Sequence, residues 1–227
     1  MTSYLVPARE TRVEIRVVNS RFIVTAAPAL TVEQARAFIE RIKDEFADAS
    51  HNVSAYLIGH GNAVIAHATD DGEPSGTAGR PALAVLQGSG LGDVVVVVTR
   101  YFGGTKLGTG GLVRAYGDAV REVLAVLPRA IRVAIVVVQF AVPYALFERA
   151  RLLVGAHQGE VLDEAFGVEV QITAQFAETR YPAFVSTLRE LSAGTVQPEV
   201  IERSEDAIVT VGKLGTEDGG GAGLEST

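Results

Sequence analysis

Asp93-Val94-Val95-Val96-Val97-Val98-Thr99-Arg100-Tyr101 is the stretch on which the fold turns. Its six consecutive β-branched residues show no alternation, so neither side of the segment can face water. Such a run predicts a strand buried on both faces at the centre of a sheet, and it falls well short of the roughly 18 apolar residues of a membrane span. Immediately downstream, five of the nine residues from 103 to 111 are glycine. Leu112, Ala115, Tyr116, Ala119, Val120, Val123 and Leu127 then recur at helical spacing, with Arg114, Asp118 and Arg121 on the opposite side. The centre of the chain therefore reads as buried strand, glycine-rich turn, amphipathic helix.

Upstream, residues 11–18 and 21–27 alternate charged and apolar side chains about Asn19-Ser20, the pattern of a hairpin. Thr31-Val32-Glu33-Gln34 opens a helix by the spacing of a capping box, and Ala35, Phe38, Ile39, Ile42 and Phe46 carry it to about residue 49. Residues 53–58 and 63–68 form a second hairpin around Gly59-His60-Gly61-Asn62. A loop without periodicity follows to Pro81, which starts a short helix stopped by the glycines from 88 to 92. Downstream, Pro128 ends the long helix. Strand 131–140, helix 143–155, strands 160–166 and 168–176, helix 181–193 and strand 199–211 then give the order βαββαβ of a ferredoxin-like domain. The expectation is an α+β protein of two domains, residues 1–129 and 130–212, with a disordered tail at 213–227.

Composition narrows the chemistry. With 48% hydrophobic and 21% charged residues in 227, the chain is globular, and disorder, collagen and coiled coil are excluded. The absence of cysteine removes disulfides, thiolate zinc, iron–sulfur clusters and cysteine nucleophiles. The N-terminus has neither the basic start nor the apolar run of a signal peptide, so a cytoplasmic protein without a membrane partner is expected. The net charge of −7 is unevenly spread: residues 1–130 hold 13 basic and 13 acidic side chains, and residues 131–227 hold 7 and 14. Within the neutral part, Arg100, Lys106, Arg114 and Arg121 face a single acid, Asp118, over 22 residues. That surplus marks a basic patch able to meet phosphate.

Two segments carry the polar groups of a candidate site, Asp70-DGEPSGTAGR-Pro81 and Arg100-YFGGTKLGTGGLVRA-Tyr116. The glycines of the second offer backbone N–H groups to an anion or an RNA backbone, or merely permit positive φ and close packing. Neither nucleotide fingerprint fits, because Lys106 precedes Gly108 and Val113 stands where G-x-G-x-x-G needs its last glycine. Asp70, Asp71 and Glu73 suit turn capping, neutralisation by Arg80, Arg100 or Lys106, a hard cation, or acid–base work. Ser75 does not sit in a nucleophile elbow, and His60 and His67 lack zinc spacing. Tyr101, Phe102 and Tyr116 flank the basic patch; Tyr116 lies on the core stripe, leaving Tyr101 as the candidate for base stacking.

Asp70-Asp71-Gly72-Glu73-Pro74-Ser75-Gly76-Thr77-Ala78-Gly79, Arg100-Tyr101-Phe102-Gly103-Gly104 and residues 106–116, KLGTGGLVRAY, resemble the signature of the IMPACT/YigZ family; His51-Asn52-Val53-Ser54-Ala55-Tyr56 resembles a further element of it. The resemblance implies that residues 1–129 adopt a β/α sandwich similar to a fold shared by a ribosomal small-subunit protein domain and domain IV of elongation factor G. It implies that residues 130–212 are similar to that factor's domain V. Eukaryotic relatives regulate translation initiation by competing for an activator of a starvation-responsive kinase. They use an additional N-terminal domain without counterpart in these residues, so the broad, translation-linked role is what carries over. The expected site comprises Asp70, Asp71, Glu73, Ser75, Thr77, Arg80, Arg100, Tyr101, Lys106, Thr109 and Arg114. The expected partners are RNA or the ribosome, with a translation-factor protein as a further candidate, and neither DNA, cofactor, metal nor a catalytic residue is called for. The alternative is an enzyme acting on a phosphorylated or small polar substrate at the two loops.

Overall fold

A computed structural model describes residues 3–61, 63–211 and 214 of the chain, which divides into two compact units at Ala130/Ile131. The protein is α+β, with antiparallel pairing in both units. The tail expected to be disordered lies, apart from Leu214, outside the described residues.

In the N-terminal unit, β1 (Tyr4–Pro7) precedes a hairpin of β2 (Thr11–Val17) and β3 (Ser20–Pro28). Then come α1 (Val32–Glu45), the pair β4 (His51–Ile58) and β5 (Ile65–Thr69), α2 (Gly79–Gln87), β6 (Val94–Tyr101) and α3 (Gly108–Val126). The sheet order is β2-β3-β6-β4-β5, which puts the valine run at its centre. Alternation along β6 then explains its composition. Val95 and Val97 pack with Ala35, Ile39 and Ile42 of α1 on one face. Val94, Val96 and Val98 pack with Leu86 of α2 and Leu112, Tyr116 and Val120 of α3 on the other. All five valines are fully buried.

Local chemistry sets the helix starts and stops. Thr31 Oγ1 accepts the Gln34 N–H at 3.2 Å, and Gln34 Oε1 accepts the Leu30 N–H at 2.8 Å, so the box closes one residue earlier than its usual form. α1 ends at Glu45 rather than near residue 49. Tertiary contacts take over its expected last turn: Ser50 N–H donates to the Arg100 carbonyl at 2.9 Å, and Asp48 accepts the Tyr101 hydroxyl at 2.7 Å. α2 begins at Gly79, ahead of Pro81, because the Asp70 carboxylate arrives to cap it.

The C-terminal unit runs β7 (Arg129–Val142), α4 (Tyr144–Ala156), β8 (Glu160–Phe166), β9 (Val170–Ala177), α5 (Tyr181–Leu191) and β10 (Glu199–Thr210). Strand β9 lies between β7 and β8, and β10 pairs with β7, the arrangement of a ferredoxin-like βαββαβ unit. Val136, Val138 and Phe140 of β7 and Ile172 and Phe176 of β9 share a core with Phe184 and Leu188 of α5. No helix among the described residues is long and apolar enough to cross a membrane.

Candidate functional site

The two signature segments meet at a buried carboxylate. Glu73, in the loop between β5 and α2, places Oε1 2.5 Å from Arg100 Nη1 and 2.8 Å from the Tyr116 hydroxyl. His51 Nε2 lies 3.8 Å from the same oxygen. The Glu73 and Arg100 side chains are 3% and 5% exposed, so each charge is neutralised inside the protein rather than offered to a ligand. Arg100 also donates from Nη2 to Ser20 Oγ at 3.1 Å, while its Nε is buried without a partner among the described residues. Burial comes first among the causes that push the Tyr116 hydroxyl far above its ordinary pKa, with the Glu73 charge and hydrogen bond adding to it, so this tyrosine stays protonated.

The other two loop carboxylates build the backbone around that pair. Asp70 accepts the N–H groups of Gly76, Ala78 and Gly79 at 2.7, 3.0 and 2.8 Å, folding the loop on itself and capping α2 across a gap of nine residues. Burial disfavours its charge, but the three hydrogen bonds and nearby Arg80 outweigh burial together, and its pKa falls below the ordinary carboxylate value. Asp71, at φ +44°, accepts the Asn52 N–H at 2.7 Å and pairs with Lys43 at 3.4 Å. Its carbonyl accepts His51 Nδ1–H at 2.8 Å, and Thr99 Oγ1 donates to Asn52 Oδ1 at 2.7 Å behind it. Thr77 is buried, with its hydroxyl on the Pro74 carbonyl at 2.6 Å.

Ten of the eleven expected site residues therefore separate into two sets, and Tyr101 stands between them. Buried Glu73, Thr77 and Arg100 and half-buried Asp70 and Asp71 form a scaffold, and its three carboxylates have separate partners instead of one shared focus. No group of three or more metal-ligating side chains occurs among the described residues. Ser75, Arg80, Lys106, Thr109 and Arg114 face solvent. Lys106 and Arg114 make no ion pair among the described residues, whereas Arg121 is held by Asp118 at 2.6 Å. Tyr101 is half-buried, with its hydroxyl on Asp48 and the Arg21 guanidinium 5.5 Å from its ring. Two partners had no local sequence signal, Lys43 on α1 and Ser20 at the start of β3.

Glycine serves this surface at two positions in particular. A Cβ on Gly103 would lie 1.8 Å from the Asn19 carbonyl oxygen, so the loop after β6 packs directly on the β2–β3 turn. Gly108 sits at φ +69° where α3 begins, and no side chain caps that helix. The first residues of α3, 108–110, are exposed and directly follow the exposed Lys106 and the half-buried Leu107 in the chain, so their N–H groups are left without a side-chain cap. Two grooves lie elsewhere: one of about 620 Å³ runs between Pro81 of α2 and Leu124 of α3, and one of about 570 Å³ lies between Arg149 of α4 and Glu190 of α5.

The family model for the Impact N-terminal domain matches residues 18–124, and a domain of unknown function, DUF1949, matches residues 140–195. An IMPACT family member of Haemophilus influenzae is 37% identical over 206 residues, covering 90% of this chain and all of the relative. The chain belongs to the IMPACT family. Another member, YigZ of Escherichia coli, is 35% identical over 203 residues, covering 89% of this chain and all of YigZ. A crystal structure described as a hypothetical protein superposes with a TM-score of 0.60 at 35% identity, over 89% of this chain and 98% of the other. Both signature segments of this IMPACT family chain fall within the matched N-terminal domain.

Proposed function

We propose that this IMPACT family protein is a cytoplasmic, translation-linked binding protein that contacts RNA, free or within the ribosome, through the glycine-rich basic surface of its N-terminal unit. The observation that carries the reading is the start of α3. Its uncapped N–H groups, made reachable by Gly108 and Gly110, follow in the chain the exposed Lys106, which makes no ion pair among the described residues, with Arg114 on the same helix. Backbone donors and a helix N-terminus favour phosphate, and mobile cations add charge without reading sequence. The internal Glu73–Arg100 pair supports the reading by holding the two loops in place while consuming their strongest charges. The acidic C-terminal unit opposes indiscriminate binding of polyanions.

Arg114→Glu tests the proposal. Arg114 lies off the apolar stripe, so the variant folds, as circular dichroism will verify. RNA and ribosome binding should weaken across all sequences, and added salt should mimic the loss, with a slope of roughly 0.7 to 0.9 per lost phosphate contact. A folded variant that binds RNA and ribosomes as tightly as the parent at low salt rejects this surface as the interface.

A further inference from the structure

Phe102 is the aromatic residue of the signature that the fold leaves in solvent. It is 48% exposed, although it directly follows the buried centre of the sheet. Its backbone is pinned on both sides: the Phe102 N–H donates to Ser50 Oγ at 3.0 Å, and Gly103 is pressed against the Asn19 carbonyl and donates to Ser20 Oγ at 3.4 Å. The ring is backed by a cation, because the Arg100 guanidinium carbon lies 5.6 Å from its centroid. That guanidinium cannot swing away. Glu73 and Ser20 hold two of its nitrogens, and Phe22 lies 5.5 Å from it. An exposed aromatic ring on a fixed backbone and against a fixed cation loses little freedom on binding. Tyr101 lacks this character, since its hydroxyl and its ring are already occupied by Asp48 and Arg21.

We infer that Phe102 is a stacking platform for an unpaired base of single-stranded RNA, with the buried Glu73–Arg100 pair as the positioning device beneath it. The inference rests on the RNA-contact reading above and specifies the form of RNA that the surface takes. Arg100 behind the ring draws electron density from its π face, which favours an electron-rich planar group on the open side. Lys106, exposed four residues on in the same loop and without an ion pair among the described residues, supplies the charge that a neighbouring phosphate requires. A planar acceptor next to a cation is the chemistry of a nucleotide. The base must be unstacked to reach the ring, which selects single strands, loops and ends over duplex.

The test uses the full chain and a ten-nucleotide oligoadenosine RNA carrying one 2-aminopurine, read by anisotropy and by fluorescence quenching. A duplex RNA of the same length is the second probe. Phe102→Ala should weaken single-strand binding about tenfold or more and abolish quenching. Phe102→Trp should retain both, while Phe102→Leu, which keeps the apolar bulk, should lose the quenching. Duplex affinity should be the same in all four proteins. Quenching of equal size in parent, Ala and Leu proteins overturns the platform and leaves the RNA reading standing. Failure of the parent to bind either probe at low salt removes the RNA reading itself.

Discussion

Arg100 and Glu73 show how one residue pair changes the meaning of a motif. Both belong to types that are almost never fully buried alone, and each is tolerated inside because the other is there. Glu73→Gln keeps an oxygen for the Tyr116 hydroxyl but leaves the Arg100 charge uncompensated, so the protein should lose about 3–5 kcal/mol of stability, read from denaturant midpoints. Asp118→Asn, at an ion pair whose partners are 62% and 61% exposed, should hardly move the midpoint. Equal effects in the two variants would show that the Glu73–Arg100 pair is not a structural charge pair.

At the scale of elements, the sharpest feature is the junction between β6 and α3, where glycines of similar appearance have different duties. Gly103 has no room for a side chain, because a Cβ there would meet the Asn19 carbonyl oxygen at 1.8 Å. Gly110 is helical, with nothing within 4 Å of its Cβ position. Gly103→Ala should therefore lower the thermal midpoint by forcing two loops apart. Gly110→Ala should raise stability by roughly 0.5–1 kcal/mol through reduced backbone freedom of the unfolded chain. Differential scanning calorimetry of the two variants checks both signs. Spacing alone presents 108, 110 and 111 as one glycine cluster. The structure singles out Gly108 by its positive φ and shows Gly111 close to Leu107, with 3.1 Å from the added Cβ.

For the whole molecule, each unit has its own core, around β6 in one and around Phe184 in the other. Fragments 1–130 and 131–227 are each expected to melt cooperatively, since each buries a contiguous apolar cluster of its own. A fragment that melts without a cooperative transition, followed by calorimetry or circular dichroism, would argue against independent units. The sequence by itself determined the order of nearly all these elements, the buried strand at 94–101, the βαββαβ pattern and the family signature. Those signals are local, because side chains two residues apart on a strand, or three and four apart on a helix, share a face. It also missed β1, which is four residues long and too short to show a period. Only the tertiary structure decided which polar residues of the signature are scaffold and which face solvent. The partners of Arg100 lie 27 and 80 residues away, and Glu73 meets Tyr116 across 43. No periodicity spans such separations. Whether a charge is buried depends on which distant groups the sheet order brings to it, and the same order that closes Arg100 in turns Phe102 out.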